Sequence, residues 1–323
     1  MFIRNFKLLL LVFAMTFSAW ATAQSWPAAK PIRIVVAFGP GSASDIFARM
    51  VGEQLGKALG QTVIVENKPG ASGQIAAEYA SGSPPDGYTL FLTTNTTHSA
   101  NPHLFRKLRY DPIKDFTPIV RIGYFPFVLL VNASAPVNTA AELITYAKAH
   151  PDKASYAYTS SAGQVAAAAL SNSTDMKAVG VAYKSAPEAV TSLVGGQVLF
   201  TILDFATTQG MVGSGKLKAL AVTPQERTAL ASKLPTISEA TGLKDFGVVA
   251  WMGIFGPAQL PAPIADRLYA ELQKILNTEE VKGRFATMGM EPATADPKEF
   301  ASFVKNQLAV WEKQIKIAGI PPQ

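Results

Sequence analysis

Apolar residues along this chain follow two alternating patterns. Short continuous runs, many of them rich in β-branched side chains, are typical of strands buried on both faces of a parallel sheet. Longer segments, in which apolar residues recur every three or four positions, are typical of helices that cover such a sheet. The alternation predicts an α/β fold. The predicted strands are 32–38, 62–66, 88–93, 128–131, 155–158, 179–183, 198–203 and 217–222.

The helical segments lie between these strands and continue after the last of them. The first is predicted to stop at Gly60, since glycine commonly ends helices. Its expected buried side consists of Ile46, Phe47, Met50, Val51 and Leu55. The other predicted helices are 74–80, 140–150, 187–193, an amphipathic one from 261 with Ile264, Leu268, Leu272 and Ile275 in register, and 300–317.

Residues 1–23 have the pattern of a secretory signal peptide. Arg4 and Lys7 precede an apolar stretch, and Ala21 and Ala23 form a small-x-small cleavage site. A membrane anchor is disfavoured, because the apolar run is far shorter than the roughly 20 residues of a spanning helix. We therefore expect cleavage before Gln24 and export to a Gram-negative periplasm.

The composition excludes several classes of protein. With 323 residues, 48% hydrophobic and 16% charged, the chain can bury a large core, so disordered and fibrous classes are excluded. The absence of cysteine excludes disulfides, thiolate nucleophiles, iron–sulfur clusters and lipid anchors. The three histidines stand apart, which leaves little material for a metal site, and no cofactor is expected.

The net charge of +6 arises from 29 basic and 23 acidic residues spread along the chain. No basic stripe is visible, so nucleic-acid binding is disfavoured, whereas a mild positive field suits small anions.

A glycine-rich turn at 38–45 follows the first predicted strand and opens the first helix. Its free amides and the helix dipole form an anion site. A dinucleotide-binding motif is disfavoured, because Ser44 occupies the third glycine position and an exported protein meets little NAD. An ordinary tight turn capped by Ser42 or Ser44 remains open. We favour a carboxylate cradle.

A second glycine motif, 210–216, has the spacing of a phosphate-binding P-loop. However, Leu217 replaces the hydroxyl that would hold magnesium, and a strand follows instead of a helix. We interpret it as a helix end and turn.

Three further turns, 67–73, 93–97 and 159–163, are rich in hydroxyl groups or glycine. Each alone is ordinary turn chemistry. Because ligands of open α/β sheets collect at strand ends, the four turns together predict one polar pocket.

A series of ordered motifs resembles the Bug proteins, periplasmic solute-binding receptors of tripartite tricarboxylate transporters. The resemblance covers essentially all of the chain after the signal peptide. The matching segments are 31–36 with the glycine turn and Asp45, 65–71, 85–90, 110–116, 183–184, 195–198 and 215–222.

The resemblance implies a type II periplasmic-binding-protein fold, with two lobes that each have a central sheet flanked by helices. Lobe one would comprise 24–124 plus 250–323, and lobe two 125–249. The lobes would close around an organic di- or tricarboxylate and deliver it to membrane permease subunits. A monomer suits a receptor that must close.

Candidate ligand contacts come from both lobes. Backbone groups of Gly39, Gly41, Ser42 and Ala43 are expected at one carboxylate, and Ser160 and Ser161 at the other. The remaining candidates are Phe38 as an apolar wall, Thr93, Thr94, Asn95, Gln164, Lys184, Asp45 and Asp204. As a contact Lys184 would supply the sole formal positive charge, but we favour a surface lysine. We interpret Asp45 as ordering its turn and Asp204 as holding water or backbone.

Three departures from the family pattern bear on the ligand. They are Ser42 in place of a glycine, Gly73-Gln74-Ile75-Ala76, and the alanine-rich segment 164–169. A site with less bulk could take a flat ring, which favours an aromatic dicarboxylate, terephthalate-like, over citrate-like or C4 acids. The alternatives are a periplasmic hydrolase or isomerase that uses Asp45 and Asp204, and a structural partner protein that binds no small molecule.

Overall fold

The computed structural model describes residues 26–244 and 246–323, so the predicted signal peptide lies outside the described residues. Two β-sheets carry helices on their faces, which confirms the α/β fold. The strands are β1 (Ile32–Val36), β2 (Val63–Asn67), β3 (Thr89–Thr94), β4 (Phe116–Phe125), β5 (Phe127–Asn132), β6 (Ser155–Tyr158), β7 (Val179–Ala182), β8 (Phe200–Asp204), β9 (Leu217–Val222), β10 (Ala250–Pro257) and β11 (Glu291–Ala295).

The helices connect the strands and close the chain. They are α1 (Ala43–Leu59), α2 (Gln74–Ser81), α3 (Asn101–Leu104), α4 (Ala140–Ala149), α5 (Ser161–Ser173), α6 (Ala186–Val194), α7 (Phe205–Gly213), α8 (Ile237–Thr241), α9 (Ala262–Leu276), α10 (Glu279–Thr287) and α11 (Pro297–Ala318). Short 3₁₀ turns occur at Ala71–Gly73 and Ala229–Ala231, and a π-helical turn at Thr96–Ala100.

The first sheet has the strand order β11-β4-β10-β3-β1-β2, and the second the order β7-β6-β8-β5-β9. Each sheet contains three mutually parallel strands: β1 pairs in parallel with β2 and β3, and β6 with β7 and β8. However, β10 is antiparallel to β3 and β4, and β5 is antiparallel to β8 and β9. The expected parallel strands are therefore present, but β5 and β10 depart from that pattern because they carry the chain from one sheet into the other.

Helix α1 illustrates how local sequence sets these elements. The Ser42 hydroxyl accepts a hydrogen bond from the Asp45 amide at its start, and Gly60 ends it with a φ of 62°. Phe47 and Leu55 are fully buried as predicted, but Ile46 is 47% exposed. Neighbouring residues lie about 100° apart around a helix, so Ile46 points away from the face that Phe47 buries.

Strand β10 was missed by the periodicity argument, as were β4 and β11. All eight residues of β10 are buried, since it runs through the middle of the first sheet. Its glycines and Pro257 obscured the apolar run. Gly253 has a packing reason: a Cβ at this position would overlap the ring of Phe300 in α11.

The chain crosses between the sheets twice, from β4 to β5 and again before β10. At the crossings, Phe125 pairs with Ala250 in the first sheet and Phe127 pairs with Asp204 in the second. Helix α11 packs against α5, and the Asn172 side chain donates a hydrogen bond to the Ala318 carbonyl between them. The two crossings therefore bring the ends of both sheets together.

None of the helices within the described ranges combines the length and apolar character needed to cross a membrane.

Candidate functional site

A cavity of about 330 Å³ lies where the two sheets meet. We call it the central cavity. All four of the predicted turns contribute to its wall. The wall residues are 37–40, 42–44, 69–73, 94–96, 125, 127, 158–162, 164, 182–187, 204, 207 and 250. The carboxyl ends of parallel strands from both sheets thus open into one space, as expected for α/β proteins.

Two helices begin at the central cavity from opposite sheets. Helix α1 follows β1 of the first sheet, and α5 follows β6 of the second. Their cap residues, Ser42 and Ser160, each accept a hydrogen bond from the third amide of the helix. The first two amides of a helix have no partner within it, so both walls offer N–H groups and the positive end of a helix dipole. This arrangement suits a ligand with an anionic group at each end.

Asp45 holds the glycine turn in shape. Its carboxylate accepts hydrogen bonds from the Gly41 amide at 3.0 Å and the Asn67 side chain at 3.0 Å, and pairs with Arg49 at 2.9 Å. Asn67 also donates to the Phe38 carbonyl at 2.9 Å. Burial opposes ionisation, yet the bonds from Arg49, Gly41 and Asn67 hold the pKa of Asp45 below its ordinary value. Asp45 therefore orders the turn.

Three of the predicted contacts lie beside the wall rather than in it. The Gly41 amide is taken by Asp45, whose own carboxylate is engaged on both oxygens. Thr93 is fully buried, and its hydroxyl lies 2.7 Å from that of Thr97. The predicted residues that do line the wall are Phe38, Gly39, Ser42, Ala43, Thr94, Asn95, Ser160, Ser161, Gln164, Lys184 and Asp204.

The segment behind Thr94 and Asn95 is a π-helical turn that contains His98. The Thr97 hydroxyl lies 2.8 Å from His98 Nδ1, and the imidazole stacks on Phe255 at 4.1 Å between ring centres. Burial lowers the pKa of His98 to about 3, so the ring is neutral at physiological pH. This buried network supports the part of the wall that carries Asn95.

The second wall differs from expectation in the alanine-rich segment. Only Gln164 of residues 164–169 lines the cavity, whereas Ala166 and Ala169 are fully buried in the core shared with α11. The expectation that these alanines leave room for a ligand is therefore wrong. They allow close helix packing instead.

The wall has one basic and one acidic side chain among the described residues, Lys184 and Asp204. Lys184 is exposed at the mouth. Asp204 caps α7, where its Oδ1 accepts bonds from the Thr207 amide at 2.9 Å and hydroxyl at 2.7 Å. Burial raises the pKa of Asp204 against the opposing effect of these bonds. The described wall therefore holds few formal charges, and the starts of α1 and α5 add the positive ends of two helix dipoles.

Sequence reasoning missed the aromatic part of the wall. Phe125 and Phe127 flank the first crossing, and Tyr158 and Tyr183 end or follow strands of the second sheet. The two tyrosines had a signal, since each closes a predicted strand. The phenylalanines had none, because their position depends on the crossing between sheets.

Comparison with known proteins gives one family and several similar structures. The family profile described as "Tripartite tricarboxylate transporter family receptor" matches residues 47–320. R. palustris Rpa4515 with adipate is similar with a TM-score of 0.88 and 32% identity, over 92% of this chain and 100% of that chain. The periplasmic binding protein BugD is similar with a TM-score of 0.85 and 32% identity, over 91% of this chain and 99% of that chain. MatC from Rhodopseudomonas palustris with bound malate is similar with a TM-score of 0.82 and 30% identity, over 89% of this chain and 99% of that chain. The two-lobed periplasmic-binding fold is thereby confirmed.

Proposed function

Because the chain belongs to the receptor family of tripartite tricarboxylate transporters, we propose that it captures an organic di- or tricarboxylate in the central cavity and delivers it to membrane permease subunits. The observation that carries this proposal is the pair of helices, α1 and α5, that start at the cavity from opposite sheets. Charge-assisted hydrogen bonds from their free amides would hold one carboxylate on each wall. Membership of this family supports a location in the periplasm.

The proposal includes the architecture of capture. Lobe one consists of 24–124 plus 250–323 and lobe two of 125–249, after removal of the signal peptide 1–23. The support for these bounds is that β5 to β9 form one sheet and the other six strands the second. A ligand shifts a monomeric receptor towards closure only through contacts that it lacks in the open arrangement. Neutral amides allow release to the permease because they bring no strong formal charge.

Within this class of ligand we propose an aromatic dicarboxylate, terephthalate-like, ahead of citrate-like or C4 acids. Four aromatic residues besides Phe38 line the cavity: Phe125, Phe127, Tyr158 and Tyr183. Aromatic walls stack favourably on a flat ring. The neighbours with adipate and malate support a two-ended acid in the same fold.

The enzyme alternative receives no support from the two carboxylates on which it depends. Asp45 is fully engaged with Arg49, Asn67 and the Gly41 amide and lies outside the wall. Asp204 serves as the cap of α7. A general acid–base pair needs groups that are free to exchange protons with a substrate. We therefore expect stoichiometric binding without turnover.

A thermal unfolding panel of organic acids tests the proposal. An acid present at 100 times its dissociation constant should add about 2.7 kcal/mol to the free energy of unfolding. Isothermal titration should then give a stoichiometry of one, with terephthalate tighter than citrate or succinate. Micromolar citrate binding without heat from terephthalate would reverse the order of ligands. Formation of a product from the bound acid would favour the enzyme alternative. If no acid stabilised the protein, the proposal of a carboxylate receptor would be wrong.

A further inference from the structure

Asn95 is the one predicted contact whose side chain is both buried and unpaired. It precedes the π-helical turn Thr96–Ala100, lines the central cavity and is 1% exposed. Neither Oδ1 nor Nδ2 has a hydrogen-bond partner among residues 26–244 and 246–323. Leaving a buried carboxamide without hydrogen bonds is unfavourable, since both atoms lose their hydration. A group in the cavity is therefore the expected partner.

The neighbouring hydroxyl oxygens each take part in a hydrogen bond of their own. Thr94 Oγ1 accepts from the Thr96 amide at 3.3 Å, and Thr96 Oγ1 accepts from Ser161 at 3.0 Å. Thr97 Oγ1 lies within hydrogen-bond distance of both Thr93 and His98. This network fixes the backbone on both sides of Asn95, so the carboxamide is presented in a preorganised position.

We propose that Asn95 recognises a hydroxyl group on the ligand, so that the receptor prefers a hydroxylated dicarboxylate to the same acid without the hydroxyl. The inference rests on the proposed function and refines its ligand class. A carboxylate only accepts hydrogen bonds, so it would satisfy Nδ2 and leave Oδ1 unpaired. An ammonium group only donates, so it would do the reverse. A hydroxyl donates and accepts, and it satisfies both atoms whichever way the amide is turned.

Asp204, at the end of β8 in the second sheet, adds a hydrogen-bond acceptor on the opposite wall of the cavity. Its carboxylate would repel a carboxylate placed beside it, but it would accept a bond from a hydroxyl. The anionic ends of the ligand therefore belong at the starts of α1 and α5, where free amides donate. The hydroxyl belongs between them, where the wall offers acceptors.

Isothermal titration of matched pairs tests this assignment. The pairs are malate with succinate, and 2-hydroxyterephthalate with terephthalate, each measured with wild type, Asn95→Leu and Ser99→Ala. In at least one pair, wild type should bind the hydroxylated acid at least about tenfold more tightly, because the other acid leaves buried polar atoms unpaired. Asn95→Leu should bring the ratio of the two affinities to about one. Ser99→Ala is the matched control, since the Ser99 hydroxyl is also buried and unpaired but does not line the cavity.

Each outcome is decisive. Equal affinities within both pairs in wild type would overturn the role of Asn95, even if Asn95→Leu fails to fold, and would leave the proposed function standing. A preference that survives in a folded Asn95→Leu would also overturn it. Loss of the preference in Ser99→Ala would show that the turn as a whole, and not Asn95, reads the hydroxyl. Failure of wild type to bind any acid would instead overturn the proposed function.

Discussion

Ser161 Oγ donates a hydrogen bond of 3.0 Å to Thr96 Oγ1, and both residues are buried. Ser161 opens α5 of the second sheet, whereas Thr96 follows β3 of the first. The bond therefore joins the two walls of the central cavity directly. It stabilises the arrangement in which both walls reach the same ligand.

Loss of this bond should weaken ligand binding. Ser161→Ala or Thr96→Val should each raise the dissociation constant about fivefold, because one net hydrogen bond contributes about 1 kcal/mol. The dissociation constant of the double variant should lie within a factor of about two of that of the weaker-binding single variant, since both changes remove the same bond. Titration of the four proteins completes the cycle. Additive losses would show that the two hydroxyls act independently.

Removal of both serines at the start of α5 should have a larger effect. Ser160→Ala with Ser161→Ala should weaken binding by more than about tenfold, or about 1.4 kcal/mol, because the cap and the bond to Thr96 disappear together. Ser134→Ala provides the control, as this hydroxyl bonds Asn132 at an exposed site. If the double variant bound the ligand with unchanged affinity, the start of α5 in the second sheet would not contribute to the binding site.

The buried carboxylate of Asp45 should make stability depend on acid pH. Its folded pKa lies below the ordinary 3.8, so its contribution is fully present above that value and is lost as the pH falls through the folded pKa. Asp45→Asn should be less stable than wild type at pH 7, by about 1–3 kcal/mol, and the gap should narrow below pH 3.8. Urea unfolding from pH 7 to pH 2 measures this gap. Glu53→Gln, at an exposed ion pair with Lys57, should show little loss at pH 7. A gap that stays constant with pH would contradict the assigned role of Asp45.

His98 should make stability fall over a different pH range. Its folded pKa of about 3 lies below the ordinary 6.5, so between these values only the unfolded chain takes up the proton. Wild type should therefore lose up to about 1.4 kcal/mol per pH unit as the pH drops from 6.5 towards 3. His98→Phe, which suits the surrounding aromatic rings, should lack this slope. Parallel stability curves for the two proteins would rule out a neutral buried imidazole.

The part of the fold that sequence patterns predicted is the part set by local chemistry. Strand β1, the stop of α1 at Gly60 and the four turns depend on residues within a few positions of one another. The directions of β5 and β10 depend on which sheet receives them, which no short segment encodes.

The residues of the candidate site likewise fall into those that local sequence predicts and those whose position depends on the whole fold. Ser42 and Ser160 could be placed at the cavity because each caps a helix that follows a strand. Phe127 could not, since it reaches the wall only through its pairing with Asp204 across the second sheet. The role of Ala166 and Ala169 was misread for a related reason. An alanine-rich helix is equally suited to an open pocket and to close contact with α11, and only the packing decides.

The small number of formal charges in the described wall, one basic residue (Lys184) and one acidic residue (Asp204), has a consequence for how ligand binding responds to salt. Salt ions weaken attractions between exposed charges over about 8 Å at physiological ionic strength, but they act much less on dipoles inside a closed space. A receptor that bound its ligand through exposed lysines would lose affinity as the ionic strength rose. The affinity of this protein for its acid should therefore change little between low and high salt. Such behaviour suits a compartment whose salt concentration varies with that of the external medium.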